Sequence, residues 1–389
     1  MKFPKNLTDK LETREQNSAL RQLPKSTNLI DFASNDYLGF AKSKEIFNQT
    51  HQFLLERNCQ ENGATGSRLL TGNHSLYPIT EDFIAQFHQA ESALIFNSGY
   101  DANLGFFGCI PQKGDLILYD ELCHASIRDG IQLSYAKAYK YQHNDYENLE
   151  QLLVRCHTER SGGFSVGKNQ PPTAIYIVTE SVFSMDGDSP ILEKLVDLSQ
   201  RYSCHLVVDE AHALGVFGEQ GEGLTQLYSD KIFARIITFG KGLGCHGAAI
   251  LGSQMLKSYL VNFARSFIYT TGLSPHAIAN IFVAYQQLQN DKETRSQLQN
   301  NITFFNQQKV LLGLKPLFVY SKSAIQSAII PGNQKVKNIA SHLNEKGFNV
   351  KAILSPTVPE GQERLRICLH SYNSNDQISS LMACLQALF

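Results

Sequence analysis

The sequence predicts an α/β fold, with a mostly parallel sheet in a large domain and a smaller α+β C-terminal domain. Two observations carry this. From about residue 42 onward, short apolar runs alternate with helical stretches, the pattern of buried strands joined by helical crossovers. After Pro275 the pattern shifts to one long helical run and then to short strands and helices. Length bounds the answer: 389 residues correspond to about two to three domains. A chain of that size buries most of its unfolded surface without disulfides or metal. The expected division is an N-terminal arm at 1–41, a large domain at 42–287 and a small C-terminal domain at 288–389.

Taken in order, residues 7–23 read as a polar helix broken by Pro24, and an apolar segment at 29–33 leads into Ser34-Asn35-Asp36-Tyr37-Leu38-Gly39. Residues 77–90 read as an amphipathic helix, because Ile79, Phe83, Ile84 and Phe87 recur at helical spacing. A strand at 93–97 then meets Ser98-Gly99. Further buried strands are expected at 116–119, 174–179, 205–208, 236–239 and 248–251, with a helix at 192–202 among those between them. The polar, glycine-rich stretch 161–172 reads as an exposed loop, and the helical run after Pro275 spans 276–312.

Composition removes several function classes. With 35 basic and 36 acidic residues, there is no electrostatic footprint for nucleic acid or an anionic membrane. No apolar run approaches the roughly 20 residues of a membrane helix, and residues 1–16 hold no apolar signal segment. A cytoplasmic protein is expected. The eight cysteines form no C-x-x-C pair, so free thiols are expected rather than a disulfide or zinc framework. No H-E-x-x-H occurs, and no metal is expected.

Three short motifs fail their context. Gly162 to Asn169 nearly spells a phosphate-binding loop, but Asn169 stands where a Ser or Thr is needed, and Pro171-Pro172 follows in place of a helix. Asp209-Glu210-Ala211-His212 spells a helicase box without a competent phosphate loop. Gly242-Leu243-Gly244-Cys245-His246-Gly247 fits a dinucleotide fingerprint, but a strand-like run follows it rather than a helix.

The informative pattern is spread over one domain. Asp209 ends an apolar strand, His212 follows it, and Lys241 lies among glycines after the next strand. An amine desolvated at the end of a buried strand gives up its proton more easily, as Schiff-base chemistry with an aldehyde requires. Asn97-Ser98-Gly99-Tyr100 can open a helix whose free N–H groups suit a phosphate. An aldehyde-bearing phosphorylated cofactor, pyridoxal 5'-phosphate, unites these parts, with Asp209 as the carboxylate partner of its pyridinium nitrogen.

From about Ala19 onward the chain resembles the α-oxoamine synthases, pyridoxal phosphate enzymes of the aspartate-aminotransferase-like fold type I. The resemblance rests on Ser34 to Gly39, on Gly63-Ala64-Thr65-Gly66-Ser67-Arg68-Leu69-Leu70-Thr71-Gly72-Asn73-His74 and on Cys123-His124-Ala125-Ser126. It continues through Val182-Phe183-Ser184-Met185-Asp186-Gly187-Asp188, Val208 to His212, Thr238-Phe239-Gly240-Lys241, Tyr269-Thr270-Thr271 and Pro356-Thr357-Val358-Pro359-Glu360-Gly361. It implies that Lys241 holds the cofactor as a Schiff base and moves protons at the substrate Cα. Asp209 pairs with the ring nitrogen, His212 and Ser184 serve the ring hydroxyl side, and His124 stacks on the ring. Ser98, Gly99, Tyr100 and Thr238 hold the phosphate or ring, and Thr271 reaches the phosphate of a neighbouring subunit. That last role implies a homodimer with active sites at the subunit interface. Arg366 anchors the substrate carboxylate, and Arg21, Asn35, His124 and Thr357 match further substrate contacts.

The implied reaction is a decarboxylative condensation of an amino acid with an acyl thioester. Arg21 and Ser355-Pro356-Thr357-Val358-Pro359 favour the member that joins L-alanine to a pimeloyl thioester, carried on CoA or on acyl carrier protein, in biotin biosynthesis. The alternatives are the glycine C-acetyltransferase, 5-aminolevulinate and serine palmitoyl types, or a catalytically silent binding subunit on the same fold. The sequence departs from the family in a short segment between Arg21 and Asn35 and in Cys245-His246 after the lysine loop, where a small Val-Ser pair is expected.

Overall fold

The computed structural model describes residues 3–23, 28–161 and 174–389. The near-phosphate-loop at 162–169 and Pro24 lie outside the described residues, as does the expected loop at 161–172 beyond its first residue. The chain forms two units. The larger comprises 38–183 and 189–295, and the smaller comprises 1–37, 184–188 and 296–389.

In chain order, the strands among the described residues are β1 (Ile30–Asp31), β2 (Ser92–Phe96), β3 (Leu116–Asp120), β4 (Lys137–Tyr141), β5 (Ile175–Glu180) and β6 (His205–Asp209). They continue with β7 (Ala234–Thr238), β8 (Ala248–Gly252), β9 (Ile325–Ile329), β10 (Phe348–Asn349), β11 (Lys351–Ile353) and β12 (Arg364–Cys368).

The larger unit is built on a seven-stranded sheet of order β2-β8-β7-β6-β5-β3-β4. Strand β8 runs antiparallel to both neighbours, and the other pairs are parallel. Strands β2, β5 and β7 are buried along their whole length, and their central residues read as short apolar runs because both faces are covered. The side-chain period of two sends Val207 and Ile236 to one core with Phe106, Ile117 and Ile250. Leu206 and Val208 go to the opposite core with Leu118, Ile177 and Leu195. The helices Gly99–Cys109 and Ala125–Leu133 pack closely because Gly130 has no side chain. A Cβ there would lie 2.7 Å from the Asn103 carbonyl oxygen.

The smaller unit carries a three-stranded antiparallel sheet, β11-β12-β9, and a parallel β1-β10 pair. Residues 184–188 are tied into it along their length. Arg366 Nε donates to the Ser184 carbonyl at 2.8 Å, Ser327 Oγ to that of Met185 at 2.5 Å, and Ser321 Oγ to that of Gly187 at 2.8 Å. Asp186 is ion-paired with buried Arg364. Gly187 is required here: its φ is +77°, and a Cβ would lie 2.2 Å from the Ile325 carbonyl oxygen.

Several expected boundaries move. The first helix is Lys5–Gln16 and ends well short of Leu23; it has no buried residue to extend it, and Ser18 turns to a φ of 50°. The amphipathic helix is Leu76–Phe87, and its buried face runs through Leu76, Tyr77, Thr80, Glu81 and Ile84, leaving Ile79 exposed. The run after Pro275 is two helices, Pro275–Asn290 and Lys292–Leu311, parted at Asp291, whose carboxylate accepts from Thr294 N at 2.9 Å. Strand β4 had no apolar signature, because it is an edge strand with only Tyr141 buried. Among the described residues no helix is long and apolar enough to cross a membrane.

Candidate active site

In the larger unit the chemical residues gather at one edge of the sheet, beyond the carboxyl ends of the parallel strands, where open α/β sheets bind ligands. Asp209 is the last residue of central β6 and is only 6% exposed. Its Oδ1 accepts from Ala211 N at 2.9 Å and its Oδ2 from Asn103 Nδ2 at 2.9 Å. Asn103 also donates to Ser126 Oγ at 3.0 Å, and Ser126 Oγ lies 2.8 Å from His124 Nδ1. A hydrogen-bonded chain thus links Asp209 to His124. Burial holds His124 below the ordinary imidazole value; the Asp209 charge opposes this and Lys241 reinforces it. A neutral ring suits packing against an aromatic cofactor.

Lys241 follows β7 by three residues, and its Nζ lies 2.8 Å from His212 Nε2. The loop that carries it is shaped by close approach. A Cβ on Gly242 would lie 2.3 Å from the Leu214 carbonyl oxygen, and one on Gly244, whose φ is +60°, would lie 2.1 Å from Ala41 N. Gly244→Ala should therefore cost about 1–3 kcal/mol by overpacking, with added strain from the left-handed backbone. Urea unfolding checks this, and an unchanged midpoint would refute it. Cys245 turns toward the helix Pro275–Asn290, with its Sγ 3.6 Å from the Asn280 carbonyl oxygen, and His246 is exposed.

The helix Gly99–Cys109 opens at the same sheet edge, after β2. Ser98 caps it: its Oγ accepts from Asp101 N at 3.0 Å and its carbonyl from Ala102 N at 3.0 Å. The Gly99 and Tyr100 N–H groups have no acceptor among the described residues. A Cβ on Gly99 would sit 3.6 Å from Thr238 Oγ1, which places the helix start beside the end of β7. Two free N–H groups at a positive helix end, a buried carboxylate and a lysine amine match the phosphate, ring nitrogen and aldehyde of pyridoxal phosphate. The Tyr100 hydroxyl is turned away to Asp129. Thr271 is exposed, and its carbonyl accepts from Asn97 Nδ2 at 2.8 Å.

The remaining expected residues belong to the smaller unit. Arg366 is buried on β12, with Nη2 donating to Asn35 Oδ1 at 3.1 Å and Nη1 2.9 Å from Cys368 Sγ. Its Nε holds the Ser184 carbonyl, as described, and Ser184 itself is buried. No carboxylate of the described residues pairs with Arg366 within 4.0 Å, so its charge remains available to a bound anion. Arg21 and Thr357 also meet, with Nη2 donating to Oγ1 at 3.0 Å.

The sequence alone assigns no role to Glu180, Asn103 or Ser126, the last of which closes the motif at 123–126. Glu180 ends β5 directly opposite Asp209 in register, is 2% exposed, and accepts the His124 N–H at 2.5 Å. Burial, reinforced by the Asp209 charge, pushes its carboxyl well above the ordinary value. Its position beside the Asp209 strand was readable only once the strand order was known. A group that holds its proton more tightly in the folded state withdraws stability as pH rises above its unfolded value. Glu180→Gln, which mimics the protonated form and still accepts the His124 N–H, should therefore lose less stability than the parent between weakly acidic and alkaline pH. Urea titrations at several pH values test this, and parallel curves for the two proteins would overturn it.

A family model for the class I and II aminotransferases matches residues 27–383. Over 392 aligned residues the chain is 39% identical to the 8-amino-7-oxononanoate synthase of Emericella nidulans, covering 97% of this chain and 93% of that protein. The solved structure of 8-amino-7-oxononanoate synthase from Francisella tularensis is 31% identical, with a TM-score of 0.73 over 92% of this chain and 97% of its own. A serine palmitoyltransferase from Sphingomonas wittichii gives a TM-score of 0.82 at 27% identity, over 92% of this chain and 87% of its own. A strand edge that joins a lysine to a buried carboxylate and an open helix start, on a chain so extensively alike, belongs to the class I and II aminotransferase family and, within it, to the 8-amino-7-oxononanoate synthases.

Proposed function

We propose that the protein condenses L-alanine with a pimeloyl thioester, releasing carbon dioxide and the carrier thiol and forming 8-amino-7-oxononanoate, a step of biotin biosynthesis. The observation that carries this reading is Lys241 Nζ at 2.8 Å from His212 Nε2, on the sheet edge that also presents buried Asp209. Pyridoxal phosphate, when bound, supplies the electron sink that makes the alanine Cα acidic. Lys241 removes the Cα proton and returns a proton after carbon dioxide leaves, while His212 steadies its amine. Asp209, oriented by Asn103 and Ala211 N, holds a negative charge against the ring nitrogen. The start of the helix Gly99–Cys109, with Thr238, receives the phosphate. His124, fixed by Glu180 and Ser126, covers the ring. Ser184 serves the ring hydroxyl side, and Arg366 holds the substrate carboxylate through its planar guanidinium. Arg21, Asn35 and Thr357 are proposed to contact substrate. Thr271 is proposed to serve a partner subunit in a homodimer.

A substrate matrix tests the assignment. L-alanine, glycine and L-serine are each paired with pimeloyl, acetyl, succinyl and palmitoyl thioesters, with the pimeloyl group on both CoA and acyl carrier protein. The expected result is turnover with alanine and the pimeloyl donor, with carbon dioxide and thiol released one to one. Turnover of glycine with the acetyl donor and none with alanine and pimeloyl would overturn it.

A further inference from the structure

We infer that the smaller unit carries a second ligand site, a groove that takes a carboxylate with an apolar body. The cavity, of about 910 Å³, is lined by the later part of the helix Lys292–Leu311 and by residues 315–322. Its walls divide by chemistry. Val310, Leu311 and Phe318 form apolar wall, and Val310 and Leu311 are 62% and 75% exposed. Lys309, Lys315 and Lys322 supply positive charge, and no Asp or Glu is among the lining residues.

Lys309 is the diagnostic residue. It is only 5% exposed, yet no carboxylate of the described residues lies within 4.0 Å of its amine. Its Nζ donates to Gln326 Oε1 at 2.7 Å and lies 5.0 Å from the Phe318 ring centroid and 5.8 Å from that of Phe305. An ammonium has three donors, so one amide oxygen and two ring contacts leave it short of acceptors. Burial, with a smaller push from Lys315, brings its amine down to about 8. Buried charges are ordinarily paired, and a cavity with a positive inner end and apolar flanks has the complementary form for an amphipathic anion. A carboxylate beside Lys309 supplies the missing acceptors and offsets Lys315, while an alkyl chain covers Val310 and Leu311. A strongly hydrated phosphate leaves that apolar wall uncovered.

The other titratable groups lining the cavity are Lys315, Lys322 and Tyr320. Octanoate, titrated calorimetrically into the holoenzyme with octan-1-ol as the uncharged probe, tests the proposal. One equivalent is expected to bind at pH 7 whether or not the acyl substrate saturates the active site. Binding should weaken roughly tenfold one to two pH units above 8, as Lys309 loses its charge. Lys309→Met should weaken octanoate at least about tenfold, by removing the charged acceptor-seeking group. Lys309→Arg should keep the binding and lose its pH dependence, and condensation turnover should be unchanged in both variants. No binding to the parent, equal binding of octan-1-ol, competition with the acyl substrate, or undiminished binding to a folded Lys309→Met would each overturn the inference. Should the Met variant fail to fold, a pH dependence in Lys309→Arg equal to the parent's would do the same.

Discussion

Lys241→Ala is expected to lower turnover by about 10²- to 10⁴-fold or more, the range for removal of a positioned acid–base group. Lys241 has two roles in the proposed reaction, holding the cofactor aldehyde and moving the Cα proton, and alanine at this position can fill neither. His212 stays on the strand edge but loses the amine 2.8 Å from its Nε2, and an imidazole does not form the Schiff base that a primary amine forms. The substitution trims a partly exposed side chain from a loop whose shape depends on its glycines, and stability should change little. Two readouts check the expectation. Rapid-quench measurement of carbon dioxide release gives the chemical step, and visible absorbance of the amino-acid-free protein with pyridoxal phosphate gives the Schiff base. The parent should be yellow and the variant should not. A variant that stays yellow and turns over within tenfold of the parent would remove Lys241 from the mechanism.

Asp209→Asn is expected to have the next largest effect. Asparagine preserves the outline of the side chain, and its carbonyl can still accept from Ala211 N. Its Nδ2, however, meets Asn103 Nδ2 donor to donor, where a carboxylate oxygen now accepts at 2.9 Å. In the proposed reaction the ring nitrogen of the cofactor also loses the negative charge that would keep it protonated. Removing one partner of a buried charged pair costs about 3–5 kcal/mol, which corresponds to roughly 10²- to 10³-fold or more in rate if it falls on the transition state. Measuring kcat at saturating cofactor separates the two contributions. A drop in kcat that persists at saturation supports the electronic role. A loss confined to cofactor affinity would refute it and leave Asp209 as a binding residue alone.

Much of this arrangement was legible because buried parallel strands are apolar throughout. Strands β5, β6 and β7 could be found from the short apolar runs at their centres, and the acidic residue that ends the β6 run marks the edge where ligands gather. Asp209 stands out for that reason, and Lys241 stands out for the glycines on either side of it, three residues past the end of β7. Strand β4 could not be found this way, since an edge strand with one buried residue has no such run. Glu180 was hidden by its ordinary setting in the sequence. Its significance comes from the pairing of β5 with β6, which puts two carboxylates opposite one another, and strand neighbours are not encoded locally. Asn103 was hidden differently. It sits in an apolar helix and reads as an incidental polar residue until Gly130 is seen to bring the next helix against it. Cys245 and His246 were visible as a departure from the family, and their direction, toward Asn280 and toward solvent, is a property of the loop rather than of the residues.

The way residues 184–188 are built into the smaller unit has a consequence for how the chain matures. Arg364 is buried, and its carboxylate partner Asp186 precedes it by 178 residues. Until the C-terminal strands have been synthesised, Asp186 and the carbonyls of Ser184, Met185 and Gly187 wait without the side chains that satisfy them. The smaller unit is thus a late assembly with high contact order, whose closure is slow compared with local helix formation. A fragment comprising 296–389 alone would hold an arginine in its core with no anion to meet it. The covalent boundary of the C-terminal region is therefore not a boundary of folding: a five-residue graft from the middle of the chain is part of what makes that region a structure.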